Sequence, residues 1–279
     1  MQNKLESQFD LSGKVAVITG GAGLLGAKHA EALLEAGASC VLADISEENV
    51  MLVAEKLSAV NPSYKVIGVP TDITNYESVR QMSELAITKF GEIDILINNA
   101  ANNPHYESIK DARESSRFEL FPLEIWNLDI SVGLTGAFLC SQIIGTHMAN
   151  NGSGVIVNIA SDLALIAPDQ RIYRKEGIPD DSQPTKPITY SVVKSGLLGL
   201  TRYIATYWAD KGIRCNALVP GGIYNNQDPE FIVKLTNLIP LQRMAELDEY
   251  KASIVFLCSN ASSYMTGASL VMDGGRTAW

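Results

Sequence analysis

Short, continuous runs of apolar residues recur along the chain, and longer segments with helical periodicity separate them. Because each run is continuous rather than alternating, it is typical of a strand buried on both faces of a parallel sheet. Between the first runs, Leu25–Ala36 and Glu48–Ala59 place apolar residues three and four positions apart, as amphipathic helices do. This alternation predicts an α/β fold, a doubly wound parallel sheet with three layers, as a single domain over residues 1–279. The predicted strands are Val15–Thr19, Cys40–Ala43, Val66–Val69, Ile93–Asn98, Val155–Ile159, Ile213–Val219 and Leu270–Met272.

Two segments interrupt this rhythm, one near residues 102–124 and the other near 168–187. Both are polar and carry proline or mixed charge, so they are predicted to be inserted loops with short helical pieces. Long loops in compact domains are usually functional or disordered.

Charge and composition exclude several classes of protein. A net charge of −9 argues against a nucleic-acid partner, because a phosphate backbone needs a basic surface. With 46% hydrophobic residues and no apolar run near the roughly 18 residues of a membrane span, the chain is predicted to be globular, without a membrane partner. Its polar beginning does not resemble a signal peptide, so a cytoplasmic location is predicted. The four cysteines are widely spaced without a CxxC pair, so no metal site is predicted.

A glycine-rich turn, Thr19-Gly20-Gly21-Ala22-Gly23-Leu24-Leu25-Gly26, follows the first predicted strand and opens a helix. Glycine suits this place because the chain turns sharply and its backbone approaches a pyrophosphate. The anion then lies at the helix N-terminus, where free N–H groups and the helix dipole favour negative charge. We predict a dinucleotide site of Rossmann type in which Gly20, Gly23, Leu24, Leu25 and Gly26 contact the cofactor. The alternative is a turn that uses glycine for structure alone.

The second predicted strand is followed by Asp44, which lies 18 residues beyond Gly26, close to the separation of about 20 expected for a ribose-binding acid. A carboxylate here accepts hydrogen bonds from both ribose hydroxyls and repels a 2′-phosphate. No Arg or Lys directly follows Asp44 and none lies in the glycine turn, so NAD is predicted as the cofactor in preference to NADP. The alternative is that Asp44 only caps the next turn.

From Lys14 to about Gly275 the sequence resembles the short-chain dehydrogenase/reductase superfamily in its single-domain form. The signals that carry the resemblance follow the family's order: the glycine turn, Asp72-Ile73, Asn98-Asn99-Ala100-Ala101, Ser161, Tyr190-Ser191-Val192-Val193-Lys194, Pro220-Gly221 and Asp273-Gly274-Gly275. By position, the resemblance implies that Asp72 meets the adenine, Asn99 lies beside the cofactor ribose and Ile223 faces the nicotinamide carboxamide. It also implies cofactor contacts for Ile73, Ala100, Tyr190, Lys194, Pro220 and Gly221.

The resemblance assigns the catalytic chemistry to Ser161, Tyr190 and Lys194. A tyrosine with its ordinary pKa of about 10 is a poor base near neutral pH. Lys194 lies four residues after Tyr190, on the same helical face, where a charge about 4 Å away is worth about 4 kcal/mol at an effective dielectric near 20. We predict that this charge lowers the tyrosine pKa by up to about three units, and that Ser161 hydrogen-bonds the substrate oxygen. The alternative for such a pair is a lysine that packs along an aromatic ring.

Two positions depart from the family pattern. Leu24 stands where the family usually has glycine, with Gly23 one place earlier, so either Leu24 crowds the pyrophosphate or the turn shifts to let Gly23 approach it. We prefer the shift. In the predicted helix Trp126–Phe138, Gly133 stands where the family usually has an asparagine that helps to hold a proton-relay water. The Gly133 carbonyl could hold that water where the helix bends, and we predict that Gly133→Asn changes the pH profile more than cofactor affinity.

Ser161 and Tyr190 are 29 residues apart, a longer gap than the family usually has. The excess is expected to form one wall of the substrate pocket, and its polarity suits a sugar, sugar nucleotide or sugar acid. The chain also resembles a bacterial subgroup linked to surface-glycan and flagellin-sugar synthesis. The alternative is that both loops serve a subunit interface. The polar loop residues are Arg171, Tyr173, Arg174, Lys175, Glu176, Asp180, Asp181 and Lys186, with His105, Tyr106, Arg113 and Arg117 in the other loop.

The family resemblance carries two further expectations. Members are usually homodimers or homotetramers joined through the helices of the active site, and residues 225–241 resemble a mobile lid. Two other functions stay open: a non-catalytic nucleotide-binding sensor or scaffold, and an epimerase or dehydratase that uses bound NAD transiently. Net formation of NADH distinguishes the predicted dehydrogenase from both.

Overall fold

A computed structural model describes residues 4–102 and 116–279 of the chain. Its strands are β1 (Val15–Thr19), β2 (Ser39–Asp44), β3 (Val66–Pro70), β4 (Ile95–Asn98), β5 (Gly154–Ile159), β6 (Ile213–Pro220) and β7 (Ser269–Met272). All seven form one parallel sheet in the order β3-β2-β1-β4-β5-β6-β7. The strand order reverses between β1 and β4, which makes the sheet doubly wound and confirms the predicted Rossmann-type α/β fold.

Helices fill most of the connections between these strands. Helix α3 (Glu47–Val60) begins after Ser46, whose side-chain oxygen accepts from the backbone N–H of Asn49. Helix α4 (Tyr76–Phe90) begins after Asn75, whose side-chain oxygen accepts from the backbone N–H of Ser78. The helices are α1 (Glu6–Phe9), α2 (Leu24–Glu35), α3 (Glu47–Val60), α4 (Tyr76–Phe90), α5 (Leu123–Ile130), α6 (Gly136–Asn151), α7 (Ile188–Tyr207), α8 (Pro229–Thr236) and α9 (Lys251–Cys258).

The helices cover both faces of the sheet, which gives the three predicted layers. One face packs α2, α3 and α9 against side chains such as Ile18 and Leu42. The other face packs α4, α6 and α7 against alternate side chains of the same strands, such as Val17 and Val41. Because neighbouring strand residues point to opposite faces, two apolar faces require continuous apolar runs in the sequence.

Residues Leu123–Asn151 form one helical segment of 29 residues, in which a π-helical turn over Ser131–Thr135 joins α5 to α6. With a mean hydropathy of 1.4, this segment is long and apolar enough to cross a membrane, although the sequence suggested no apolar run of that length. Cys140, Ile144 and Met148 from this segment are fully buried in the cluster that packs on the sheet. Core helices of α/β domains pass the same test, so the segment is weak evidence for a membrane span.

The two predicted inserted loops pack against each other where both are described. The Thr185 hydroxyl donates to the Ser116 carbonyl oxygen at 2.8 Å. The Arg117 guanidinium donates to the Asp180 carbonyl oxygen at 3.0 Å. The loop near 102–124 ends earlier than predicted, because α5 already begins at Leu123.

The loop near 168–187 contains short helical pieces, as predicted. These are 3-10 turns over Gln170–Tyr173 and Asp180–Ser182. His105, Tyr106 and Arg113 of the other loop lie outside the described residues.

Candidate active site

A cavity of about 530 Å³, here called the cleft, lies beyond the carboxyl ends of the central strands. In an open parallel sheet this is the place where ligands bind, next to the point at which the strand order reverses. The cleft brings together most of the predicted site residues: Gly20, Gly23, Leu24, Leu25, Asp44, Asn99, Ala100, Ser161, Tyr190, Lys194, Pro220, Gly221 and Ile223.

Three predicted cofactor residues do not line the cleft. Asp72 and Ile73 line a neighbouring cavity of about 180 Å³, here called the side cavity, which shares Gly20 and Asp44 with the cleft. Gly26 lines neither cavity and instead packs directly against the glycine turn. Gly26 therefore shapes the turn, and its contact with the cofactor stays a prediction.

The geometry of the turn explains two of its glycines. Gly20 has φ +62°, a left-handed conformation that favours glycine. A Cβ on Gly26 would lie 2.1 Å from the Gly20 carbonyl oxygen, so no side chain fits there. Gly23 has an ordinary φ of −74° and caps α2, and Leu24 follows it as the first residue of the helix, 45% exposed. Both line the cleft, and which of the two approaches the pyrophosphate stays a prediction.

Asn99 holds the glycine turn against the end of β4. Its side-chain Nδ2 donates to the carbonyl oxygens of Thr19 and Gly20 at 3.0 and 3.1 Å. The buried Thr19 hydroxyl oxygen accepts from the backbone N–H groups of Asn99 and Ala100 at 3.0 and 3.1 Å. The role of Thr19 was not predicted, although a hydroxyl at the end of a buried strand is a usable signal in the sequence. These bonds fix the turn through the protein's own groups.

The Asp44 carboxylate caps the turn that follows it, which was the alternative role considered for this residue, and it also lines the cleft. Its Oδ2 accepts from the N–H of Ala22 at 3.1 Å, and its Oδ1 accepts from the N–H of Ser46 at 3.2 Å. A carboxylate has about four acceptor sites, so two of them are left for ribose hydroxyls. Asp44 and Asp72 both line the side cavity, whose described wall contains no lysine or arginine.

Tyr190 and Lys194 lie one turn apart on α7, and Ser161 follows β5. The Lys194 Nζ is 5.9 Å from the centroid of the Tyr190 ring and donates to the Ile159 carbonyl oxygen at 2.7 Å. Because its side chain is only 6% exposed, the lysine is anchored beside the tyrosine and does not extend to solvent.

Burial has the largest effect on the pKa values of Tyr190 and Lys194. It raises the pKa of Tyr190 above its ordinary value, against a hydrogen bond with Ser161 that lowers it. The net direction predicted from the charge of Lys194 is therefore wrong for the protein without cofactor, because burial outweighs the effects that lower this pKa. Burial, together with the charge of Lys186, lowers the pKa of Lys194 to about 8, so the ammonium form still predominates at neutral pH.

A buried ion pair lies beside Ser161. The Arg276 Nη1 lies 2.8 Å from the Asp162 Oδ2, and the two side chains are only 6% and 4% exposed. The other oxygen of this carboxylate accepts from the Ser161 hydroxyl at 2.8 Å, so the pair orients that hydroxyl. Sequence reasoning missed this pair, and the nearest signal was an arginine directly after the closing Asp273-Gly274-Gly275.

Lys186 places a second ammonium against Tyr190. Its Nζ lies 3.7 Å from the centroid of the Tyr190 ring, within the range of a cation–π interaction. Burial lowers the pKa of Lys186 to about 8. With Tyr173, it forms the part of the cleft wall that comes from the loop near 168–187. The other charged residues predicted in this loop are exposed: Arg171, Arg174, Lys175, Glu176, Asp180 and Asp181.

Gly133 lies at the centre of the π-helical turn and lines a cavity of about 150 Å³ together with Tyr190 and Lys194. A Cβ on Gly133 would lie 2.5 Å from the Val193 Cγ1, because this turn packs closely against α7. An asparagine therefore does not fit unless Val193 moves. The clash adds a loss of stability to the expected effects of Gly133→Asn, and the larger effect on the pH profile than on cofactor affinity stays a prediction.

The cysteines of the chain are buried and unbonded, as expected from their apolar surroundings. Burial raises the pKa of the Cys140, Cys215 and Cys258 thiols to about 12, which makes them unreactive. Within residues 4–102 and 116–279, no group of three or more His, Cys, Asp or Glu side chains could hold a metal ion.

Comparisons with known proteins agree with this geometry. Residues 14–173 match the family model described as short chain dehydrogenase, and residues 180–277 match that described as Enoyl-(Acyl carrier protein) reductase. The chain therefore belongs to the short-chain dehydrogenase/reductase family, which binds nicotinamide cofactors. It is an oxidoreductase that acts on a secondary alcohol or the corresponding ketone.

Similar proteins include several alcohol and sugar dehydrogenases. The chain is 31% identical to D-threitol dehydrogenase of Mycolicibacterium smegmatis, over 98% of this chain and 96% of that protein. It is also 31% identical to NAD-dependent glycerol dehydrogenase of Listeria innocua, over 98% and 97%. The crystal structure of a gluconate 5-dehydrogenase from Burkholderia cenocepacia with NADP and tartrate has a TM-score of 0.84 at 28% identity, over 99% of both chains. These comparisons lend no support to the surface-glycan subgroup suggested by the sequence.

Proposed function

We propose that the protein is an NAD(H)-dependent dehydrogenase that interconverts a secondary alcohol and a ketone on a polar, sugar-derived substrate. The observation that carries this proposal is the convergence of Ser161, Tyr190 and Lys194 with the glycine turn and Asp44 on one cleft. A dinucleotide bound along this cleft would have its ribose near Asp44 and its reacting ring near Ser161 and Tyr190, since Asp44 ends β2 and Ser161 follows β5, three places further along the sheet.

The three catalytic side chains divide the proton chemistry of the reaction. Tyr190 accepts the hydroxyl proton of the alcohol during oxidation and returns it during reduction. The Ser161 hydroxyl, which donates its one proton to Asp162 in the protein without substrate, turns that proton to the substrate oxygen and stabilises the negative charge that develops on it. When bound, the oxidised nicotinamide supplies the acceptor for the hydride and a positive charge beside the tyrosine.

Two lysines favour the phenolate form of Tyr190. Lys186 lies 3.7 Å and Lys194 5.9 Å from the centroid of its ring, and both pKa values, at about 8, leave the ammonium form predominant at neutral pH. Burial raises the pKa of Tyr190 and so favours the neutral phenol. The positive charges of the two lysines and of the bound cofactor act in the opposite direction.

The preference for NAD rests on the acidic wall around the adenosine end of the cleft. Asp44 and Asp72 line the side cavity without a lysine or arginine in its described wall, and a 2′-phosphate would bring further negative charge there. We expect kcat/KM with NAD to exceed that with NADP by more than about tenfold, a difference of about 1.4 kcal/mol. Asp44→Ser should reduce this preference, and Asp72→Ser, whose carboxylate lies in the same wall, should reduce it less. Asp210→Ser removes an exposed carboxylate that lines neither cavity and serves as the control.

The substrate class rests on the loop near 168–187 and on the relatives. Tyr173 and Lys186 make this part of the cleft wall polar, which suits a hydroxylated substrate better than a steroid or acyl chain. Relatives named for threitol, glycerol and gluconate dehydrogenation support the same class. A panel of polyols, sugar acids, sugar nucleotides, steroids and simple alcohols tests the proposal, and turnover confined to steroids or long-chain alcohols would refute it.

The proposal includes a cytoplasmic homodimer or homotetramer. Tyr203 and Tyr207 on α7 are 64% and 60% exposed, and Phe138 on α6 is 46% exposed, so the helices that carry the active site present apolar surface. Sedimentation or light scattering of the purified protein tests the assembly, and a monomer at micromolar concentration would contradict it.

A further inference from the structure

The loop near 168–187 gives the cleft a cation that forms no ion pair in the described part of the chain, although the more distant charge of Asp162 partly offsets the effect of burial on its pKa. Lys186 lines the cleft, the 150 Å³ cavity beside Gly133, and a third cavity of about 440 Å³, here called the outer cavity. Within residues 4–102 and 116–279, no carboxylate lies within 4.0 Å of its Nζ. The Nζ instead lies over the face of the Tyr190 ring.

The outer cavity adjoins the cleft through residues that line both. Lys186, Tyr173, Gln227 and Phe231 belong to the walls of both cavities, so a ligand at the catalytic tyrosine can extend past them. Lys186 therefore lies at the junction, above the reacting centre.

Other basic residues of the outer cavity are already engaged. Lys234 pairs with Glu230 at 2.5 Å, and Arg174 pairs with Asp180 at 3.4 Å. The Lys175 side chain is exposed to solvent. Lys186 differs because it is withdrawn from solvent and faces the junction.

Tyr173 adds a neutral donor to the same junction. Its ring is held 5.5 Å from the Phe231 ring, and its hydroxyl has no hydrogen-bond partner among the residues that the structure describes. Burial raises the pKa of Tyr173 to about 12, so this hydroxyl keeps its proton at physiological pH. An ammonium and a phenolic O–H are a suitable pair of donors for a carboxylate.

We propose that Lys186 and Tyr173 bind a carboxylate of the substrate, which makes sugar acids the preferred members of the substrate class. This inference rests on the proposed dehydrogenase function. Among the residues that the structure describes, no carboxylate lies within 4.0 Å of this partly desolvated ammonium, so its burial is costly and a substrate carboxylate would lower that cost. Because the Nζ lies over the ring of the catalytic tyrosine, the carboxylate belongs on a carbon close to the reacting one.

The test compares a sugar acid with its uncharged polyol, gluconate with glucitol, on the full chain with NAD. Lys186→Gln should lower the ratio of kcat/KM for gluconate to that for glucitol by about 10- to 100-fold, the loss expected for one charge-assisted hydrogen bond. Lys186→Arg should keep most of the ratio, and Tyr173→Phe should lower it less than Lys186→Gln does. Lys56→Gln, on the exposed side of α3, removes a charge far from the loop and should leave the ratio unchanged.

Other outcomes would overturn the proposal. An equal fall in kcat/KM for both substrates in Lys186→Gln, with a shifted pH profile, would show that Lys186 acts on Tyr190 alone. Calorimetric titration with gluconate and glucitol separates this inference from the proposed function, because it needs no turnover. Gluconate that binds no more tightly than glucitol, or equally well to wild type and Lys186→Gln, would refute the carboxylate site even if the enzyme oxidises polyols.

Discussion

The buried pair of Asp162 and Arg276 couples stability to catalysis, and both effects can be measured. Asp162→Asn removes the negative charge but keeps an oxygen that can accept from Ser161, while Arg276→Met removes the positive charge and keeps much of the side-chain length. Since the atoms are 2.8 Å apart and the side chains at most 6% exposed, each single change leaves an uncompensated buried charge. We expect each to cost about 3 kcal/mol of the free energy of unfolding.

The double variant distinguishes pairing from simple loss of packing. If the charges interact, Asp162→Asn/Arg276→Met should be more stable than the sum of the two single losses by at least about 2 kcal/mol. Urea unfolding followed by fluorescence gives the three differences, provided that the m value stays constant. Losses that add within about 0.5 kcal/mol would refute the reasoning.

The same variants make a prediction about pH. Asp162 raises the pKa of Tyr190 and Arg276 lowers it. Alcohol oxidation requires the phenolate, so its rate rises as pH passes through the tyrosine pKa. Asp162→Asn should therefore move this rise to lower pH and Arg276→Met to higher pH. Shifts in the opposite directions would contradict the assignment of Tyr190 as the base.

Three further predictions follow from packing and burial. Gly133→Ala should lower the free energy of unfolding by about 1–3 kcal/mol, because its Cβ would lie 2.5 Å from the Val193 Cγ1. Val193→Ala in the same chain should restore most of this loss. An unchanged urea midpoint in Gly133→Ala would contradict the prediction. Gly26→Ala should abolish NADH binding measured by fluorescence, since its Cβ would lie 2.1 Å from the Gly20 carbonyl oxygen, and full retention of affinity would refute that role. Burial lowers the pKa of His29 to about 4, so between pH 6.5 and 4 the unfolded chain binds a proton that the folded chain does not. The free energy of unfolding should therefore fall as pH drops from 6.5 toward 4. His29→Leu should remove up to about 3 kcal/mol of this fall.

The sequence predicted the sheet well because its strands are buried on both faces. Val15–Thr19 was predicted with its observed bounds, and the other six runs overlap observed strands. A continuous apolar run is a local signal, and the cleft follows from it, since carboxyl ends of parallel strands meet at one edge of the sheet. The assignment of Ser161 to that edge needed only its place after β5.

Features that depend on distant packing could not be predicted. Asp162 and Arg276 are 114 residues apart, and no local pattern joins them. Lys186 lies four residues before Tyr190, yet it precedes the start of α7 at Ile188, so helical spacing did not place it on the ring. The pKa of Tyr190 was predicted to be lowered, from the charge of Lys194 alone. It is raised because the side chain is buried, and this burial is visible only in the fold.

The most direct test of the account is net NADH formation from NAD and polyhydroxylated alcohols, measured for the wild type and Tyr190→Phe. We predict steady accumulation of NADH by the wild type and a fall in kcat of about 10²- to 10⁴-fold in the variant, the range expected for loss of a general base, with NAD affinity unchanged. Tight NAD binding without net NADH would contradict the account and favour the sensor or the transient redox cycle. A Tyr190→Phe variant that retains full activity would remove the tyrosine from the mechanism.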